Sequence, residues 1–361
     1  MLARKFRERG HTVDKFDIDD AFPEAGDLLE RIKPGLFKLK SLQHIREVGN
    51  RYDVIQAEQG TLPFSKSTLH FDGILVSSSV GLAHFYEQYS VEYRSETWKW
   101  DAKSILRQTF GWIIGQINNP LWAVDRSFEA ADLISLSSED EYEYVADELG
   151  HSSKVFLRQN GLAEQRHNNL REEAAPATQR LSNKEVAFIG YWNHRKGAHD
   201  WPGIVQAVCE QMPEACFRLL GTGRSEEVVL SDLPPEYRSR VTVIPRYEYE
   251  QLPKLLTGST VGVLPSYVEG WGLGVHEMLA SRIPVVTYDI PGPRDMLRHL
   301  PRPMMVPVGQ EEKLASKVSE ILQLRPDAYE ELAQASQNVA GRFRWDEIAE
   351  QYLARVEELR G

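Results

Sequence analysis

Pro265-Ser266-Tyr267-Val268-Glu269-Gly270-Trp271-Gly272-Leu273-Gly274-Val275-His276-Glu277 leaves a short apolar run, Val261 to Leu264, and enters a helical pattern near Gly274. The run has no polar alternation, which is the habit of a strand buried on both faces. Two carboxylates, Glu269 and Glu277, stand eight positions apart around a glycine-rich turn. Gly270, Gly272 and Gly274 allow the backbone to come close to a ligand. The first N–H groups of the following helix make an anion site, reinforced by the helix dipole. In open α/β sheets, ligands bind beyond the carboxyl ends of the strands, which is where this turn falls. Spacing alone also admits a plainer alternative, a glycine-rich turn with two solvated acids.

The same strand-then-helix grammar extends on both sides. Val186–Gly190, Phe217–Leu220, Val241–Ile244, Val261–Leu264 and Pro284–Tyr288 read as strands, with an amphipathic helix carrying Ile204, Val205, Val208 and Met212 between the first two. Upstream, Thr12–Phe16, Tyr52–Gln56, Gly73–Ser77, Leu133–Leu136 and Val155–Leu157 have strand character, and Leu2–Arg9 and Ser138–Leu149 have helical character. Alternation of this kind predicts parallel sheets with crossover helices. Residues 164–183 are rich in Gln, Asn, Arg, Glu, Ala and Pro, the composition of a linker, so the expected division is 1–163, linker 164–183, and 184–344. A last helix, 345–361, places Ile348, Tyr352, Val356 and Leu359 on one stripe.

At 361 residues the chain exceeds a single core of about 250–300 residues, which also favours two units. With 42% hydrophobic and 26% charged residues, disordered, coiled-coil and collagen-like classes are excluded. A net charge of −11 argues against tracking a nucleic-acid backbone. Cys209 and Cys216 cannot make a disulfide framework, and the absence of a signal peptide or a long uncharged run points to a cytoplasmic protein. Phe110–Ile117 is too short to span a bilayer and reads as a buried helix. Trp98, Trp100, Trp112 and Trp122 are read as aromatic core, with a sugar-stacking or membrane-facing surface as the alternative.

Glu269, Glu277 and the following MLASRIPVVTYDIPGPRDM resemble the donor-site signature of family 4 retaining glycosyltransferases of the GT-B fold, roughly E-G-F-G-L-x-x-x-E-A-M-A-x-G-x-P-V-V. Trp271, Leu279 and Arg282 replace the usual Phe, small residue and Gly. FIGYWNHRKG (Phe188–Gly197) is similar to the family's strand followed by G-R-x-x-x-x-K-G, Leu219–Gly223 to its next strand end, and Gln159-Asn160-Gly161 to its P-N-G. FRWDEIAEQY (Phe343–Tyr352) is like its closing helix. The resemblance implies two Rossmann-like domains facing a cleft, with the last helix returning to the first. Lys196, Arg195 and the amides of Leu273 and Gly274 would hold the donor diphosphate, Glu277 the ribose, and Glu269 the transferred sugar as the catalytic residue. Arg246 could contact the base. The donor would be of UDP or GDP type, bound without metal or other cofactor, because a lysine and helix amides stabilise charge developing on the leaving phosphate. The acceptor would be a glycan, a lipid-linked or a small molecule, with peripheral membrane contact open.

Three departures qualify the resemblance. Tyr191 stands where the family has its diphosphate-binding Arg, and Val80, in SSSVGLAHFY (Ser77–Tyr86), where it has a histidine facing the sugar; His84 follows four residues later. The chain also starts within the helix that in the family follows a first strand and a Gly-Gly loop, so an N-terminally shortened first domain is expected. These residues favour a rival of another class, a weak or inactive nucleotide-sugar-binding or scaffolding subunit. A nucleotide-sugar epimerase would need acid/base residues in the first domain that the sequence does not reveal. Gly221-Thr222-Gly223 reads as a strand-to-loop turn and His276 as a packing group.

Overall fold

Short, mostly apolar runs of two to five residues form the strands, and the parallel pairing of those strands sets all their carboxyl ends on one edge of each sheet. The computed structural model describes residues 1–23, 33–93 and 120–360, divided into one unit of Met1–Gln159 with Ala349–Gly361 and another of Asn160–Ile348.

In the first unit, β1 (Val54–Glu58), β2 (Ile74–Ser78), β3 (Leu133–Leu136) and β4 (Val155–Leu157) make a parallel sheet in the order β1-β2-β3-β4. β2 and β3 are buried throughout. The helix Trp345–Arg360 carries Tyr352 and Val356 onto Ile74, Val76 and Leu133, and the Tyr352 hydroxyl donates to Gln56 Oε1 at 2.8 Å. Its stripe is narrower than expected, since Leu359 is 37% exposed. Thr12–Phe16 forms no strand. A strand exists only where a neighbour pairs with it, and Phe16 stacks instead on His44 at 4.0 Å between ring centroids. Trp122 is 55% exposed, so it is not core. Trp98, Trp100, Trp112 and the run Phe110–Ile117 lie outside the described residues.

The second unit contains β5 (Glu185–Ile189), β6 (Cys216–Leu220), β7 (Val241–Ile244), β8 (Val261–Leu264), β9 (Val285–Tyr288) and β10 (Met305–Val306), all parallel, in the order β10-β9-β8-β5-β6-β7. From β5 the chain builds outward to β6 and β7, then crosses back to lay β8 on the other side of β5. Between β5 and β8 the winding therefore reverses, which is the position where such sheets open a ligand crevice. Trp201, Phe188 and Phe217 meet edge to face in the core beneath it, with centroids 5.4 and 6.3 Å apart.

Residues 164–183 are not a linker. They fold as helices Glu164–Glu172 and Ala177–Asn183 within the second unit. Beside the buried Leu170, their anchors are the arginines Arg166 and Arg180, which is why the composition looked solvated. Arg180 is 1% exposed and donates to the carbonyls of Thr257 (3.2 Å), Ser281 (2.8 Å) and Arg282 (2.9 Å). A buried cation thus satisfies carbonyls left open at two helix ends. No helix among the described residues is long and apolar enough to cross a membrane.

Candidate active site

Two loops lie side by side at the point where the winding reverses: residues 190–197 after β5 and 265–272 after β8. In the first, Asn193 caps a single helical turn, its side-chain oxygen accepting from the Lys196 amide at 3.0 Å. Gly197 closes that turn at φ +72°, and a Cβ there would sit 2.1 Å from the Pro265 carbonyl oxygen, so the two loops touch backbone to backbone. Gly197→Ala is expected to destabilise the second unit by about 2 kcal/mol through left-handed strain and the displaced Pro265 contact. A melting temperature equal to wild type would contradict this packing.

That contact brings the sequence's candidate residues together. Lys196 Nζ pairs with Glu269 Oε1, and Arg195 Nη1 lies 3.7 Å from the same oxygen while donating to the Val268 carbonyl at 3.2 Å. The Lys196 and Glu269 side chains are 14% and 8% exposed, so the pair is held largely out of water. Gly272, at φ +82°, turns the chain into the helix Leu273–Ala280, whose first residue, Leu273, is 54% exposed. Gly274 rests against β5, where a Cβ would lie 3.0 Å from the Ile189 carbonyl oxygen. The amides at this helix start therefore open beside Lys196 at the strand ends.

Glu277, on the same helix, is occupied by Arg166, a residue in the segment read as a linker. Glu277 Oε1 accepts from Arg166 Nη2 at 2.7 Å and Nε at 3.1 Å. Burial pushes the Glu277 carboxyl above the usual range, and the Arg166 guanidinium partly opposes this. Tyr247, after β7, rests its ring over Gly221 and has its hydroxyl pushed up to about 12 by burial and by Glu277. Arg246, beside it, is exposed. Tyr191 is 64% exposed and its ring closes on Gly223, so it lines the turn after β6.

Sequence reading also missed Asp200. Its carboxylate accepts from the hydroxyls of Tyr288, at 2.6 Å, and Tyr267, at 3.0 Å, tying the lysine loop to the ends of β8 and β9. These are ordinary core-type tyrosines in sequence, and only the fold aims them at one carboxylate.

His276 is a packing group, as its place in the turn suggested. Fully buried, it accepts from Trp271 Nε1 on Nδ1 at 3.3 Å and lies 3.0 Å through Nε2 from the Ala340 carbonyl. Nε2 must therefore carry the proton. Burial holds its pKa down at about 4 against 6.5. The unfolded chain then binds the extra proton first, so this contribution to stability is present above about pH 6.5 and is lost as pH falls towards 4. The slope in that window is up to about 1.4 kcal/mol per pH unit. Melting curves of His276→Gln should be flatter than wild type between pH 6.5 and 4; parallel curves would refute the buried neutral imidazole.

In the first unit, Val80 is 60% exposed in the loop after β2. His84 is 7% exposed, with Nε2 2.9 Å from Asp125 Oδ1. The same loop rests on the buried Glu141, which accepts from the amides of Leu82 (2.8 Å) and Ser137 (3.0 Å).

Residues 171–339 match the family profile of glycosyl transferases group 1. The matched stretch lies within the second unit. It is 21% identical over 286 residues to a glycogen synthase of Mycobacterium tuberculosis, covering 77% of this chain and 65% of that relative. The chain thus spans less than two thirds of the length of that protein. Among solved structures it is similar to sucrose-phosphate synthase from Thermosynechococcus elongatus (TM-score 0.70, 20% identity, 93% of this chain and 82% of that one). It is also similar to HepE of Anabaena in complex with UDP and glucose (TM-score 0.62, 16% identity, 92% and 83% covered). The fold they share with this chain is GT-B. The matched stretch begins inside helix Glu164–Glu172 and takes in both loops of the site.

Proposed function

We propose that this chain is a glycosyltransferase that moves a sugar from a nucleoside-diphosphate sugar to an acceptor with retention of configuration. The observation that carries the reading is the meeting of Lys196, Arg195, Glu269 and the helix start at Leu273 where β5 and β8 lie side by side. The family and the relatives support it, and one structural neighbour was solved with UDP and glucose.

In this reading the diphosphate rests against Lys196, Arg195 and the amides of Leu273 and Gly274. As the glycosidic bond loosens, negative charge grows on the leaving phosphate, and donors already aimed there stabilise the transition state without reorganising. Glu269, on the other side of Lys196, contacts the sugar's hydroxyls and balances positive charge developing at the anomeric carbon. Glu277 accepts from the ribose hydroxyls, and Arg246 lies within the loop that would meet the base. The first unit takes the acceptor, a glycan, a lipid-linked or a small molecule. Metal is not needed, since fixed cations and amides do its work.

Thermal shift with UDP, GDP and their sugars tests this, because a ligand at about 100 times its dissociation constant stabilises by about 2.7 kcal/mol. A shift with one nucleotide family, unchanged in EDTA, is expected; a silent panel, or a shift abolished by EDTA and restored by manganese, would overturn the site as drawn. The second reading, a nucleotide-sugar-binding subunit with little turnover, is favoured by Tyr191 and Val80, both exposed where the family carries Arg and His. Binding without donor hydrolysis or transfer would select it.

A further inference from the structure

We propose that Arg166 is a positioning residue that turns Glu277 into a one-sided acceptor for the nucleotide's ribose; this rests on the donor-site reading above. Arg166 lies on helix Glu164–Glu172 with its side chain 3% exposed. Nε and Nη2 both bond to Oε1 of Glu277, at 3.1 and 2.7 Å, and no bond is made to Oε2 among the described residues. The third nitrogen, Nη1, donates to the Tyr249 carbonyl, and the guanidinium carbon lies 3.8 Å above the Tyr249 ring. Clamped on three sides, the guanidinium cannot follow a carboxylate that rotates.

The consequence is geometric. An arginine that bonds both carboxylate oxygens takes a lone pair from each, whereas one bonded to a single oxygen fixes the rotamer and leaves both lone pairs of the other oxygen for a diol. The remaining titratable group facing Glu277 among the described residues is Tyr247, from the loop after β7, which stays neutral at ordinary pH. Arg166 is thus the counter-charge that opposes the burial pushing the Glu277 carboxyl up. The helix that carries it thereby becomes part of the donor site.

The test compares UDP with 2′-deoxy-UDP by calorimetry from pH 5 to 8, and GDP with 2′-deoxy-GDP where UDP is silent. Wild type should prefer the ribonucleotide by about 10-fold or more, the span of a hydrogen bond to a charged group. Arg166→Met should reduce that preference to about 2-fold, and should move the acid-side loss of binding to higher pH, because the uncompensated carboxyl takes up its proton sooner. Arg166→Lys keeps the charge but not the fork, so the pH profile should stay near wild type while the ribose preference falls at least about 3-fold. Retention of the wild-type preference by either variant overturns the positioning role and leaves the donor-site reading standing. A wild type that binds neither nucleotide overturns both.

Discussion

Lys196→Ala should lower turnover of a nucleoside-diphosphate sugar by about 100- to 1,000-fold, the loss typical of removing one preorganised donor from a developing anion. The side chain is 14% exposed and already aimed at the loop junction, so its charge acts through little intervening water. Arg195, 3.7 Å from Glu269, would keep part of the positive field, which is why the loss is not larger. Glu269→Gln gives the complementary result. Its neutral amide frees Lys196 for the diphosphate, so UDP affinity should hold or tighten while turnover falls, the pattern of a group whose contact matters in the transition state. Single-turnover kinetics with calorimetry separates the two. Wild-type turnover in Lys196→Ala, or equal loss of affinity and turnover in Glu269→Gln, would remove these residues from their proposed places.

Glu277→Ala has two effects that arise from one contact. It leaves Arg166, 3% exposed, as a buried cation without its partner, and breaking a buried pair in this way costs about 3–5 kcal/mol. For a unit of this size that is a melting shift of about 10 °C. It also removes the acceptor of the ribose hydroxyls, weakening nucleotide binding about 10- to 150-fold. Glu277→Gln separates these. The amide oxygen can still accept from Arg166, so much of the stability should return, while the ribose contact loses its charge and affinity stays low. Should Glu277→Gln bind UDP as wild type does, the ribose assignment is wrong even if Glu277→Ala is unstable.

Much of the donor-side fold was legible in the chain because burial on both faces leaves a local mark. Val241–Ile244 and Val261–Leu264 are observed over the residues read from their apolar runs, and β5, β6 and β9 within one or two residues. The glycine-rich turn at 270–274 and the Lys-Gly pair at 196–197 were legible too, since a backbone that must approach another backbone admits little besides glycine, as the Gly197 contact with Pro265 shows. The short β10 was missed because two residues carry no periodicity.

What the sequence by itself determined is most of the strands, their alternation with helices, and the candidate residues of the site: Lys196, Glu269, Glu277 and the helix start at Leu273. Only the tertiary structure decided which of them carry partners. Thr12–Phe16 has the residues of a strand but pairs with none of the described strands, so propensity alone could not make it one. Residues 164–183 have the composition of a linker, yet Arg166 and Arg180 are buried because a carboxylate and four carbonyls from distant segments converge on them. The burial of an apolar side chain is set mostly by its own transfer from water and so can be read locally. For these arginines it depends on acceptors contributed from 77 to 111 residues away in the chain, and those exist only once the fold has formed.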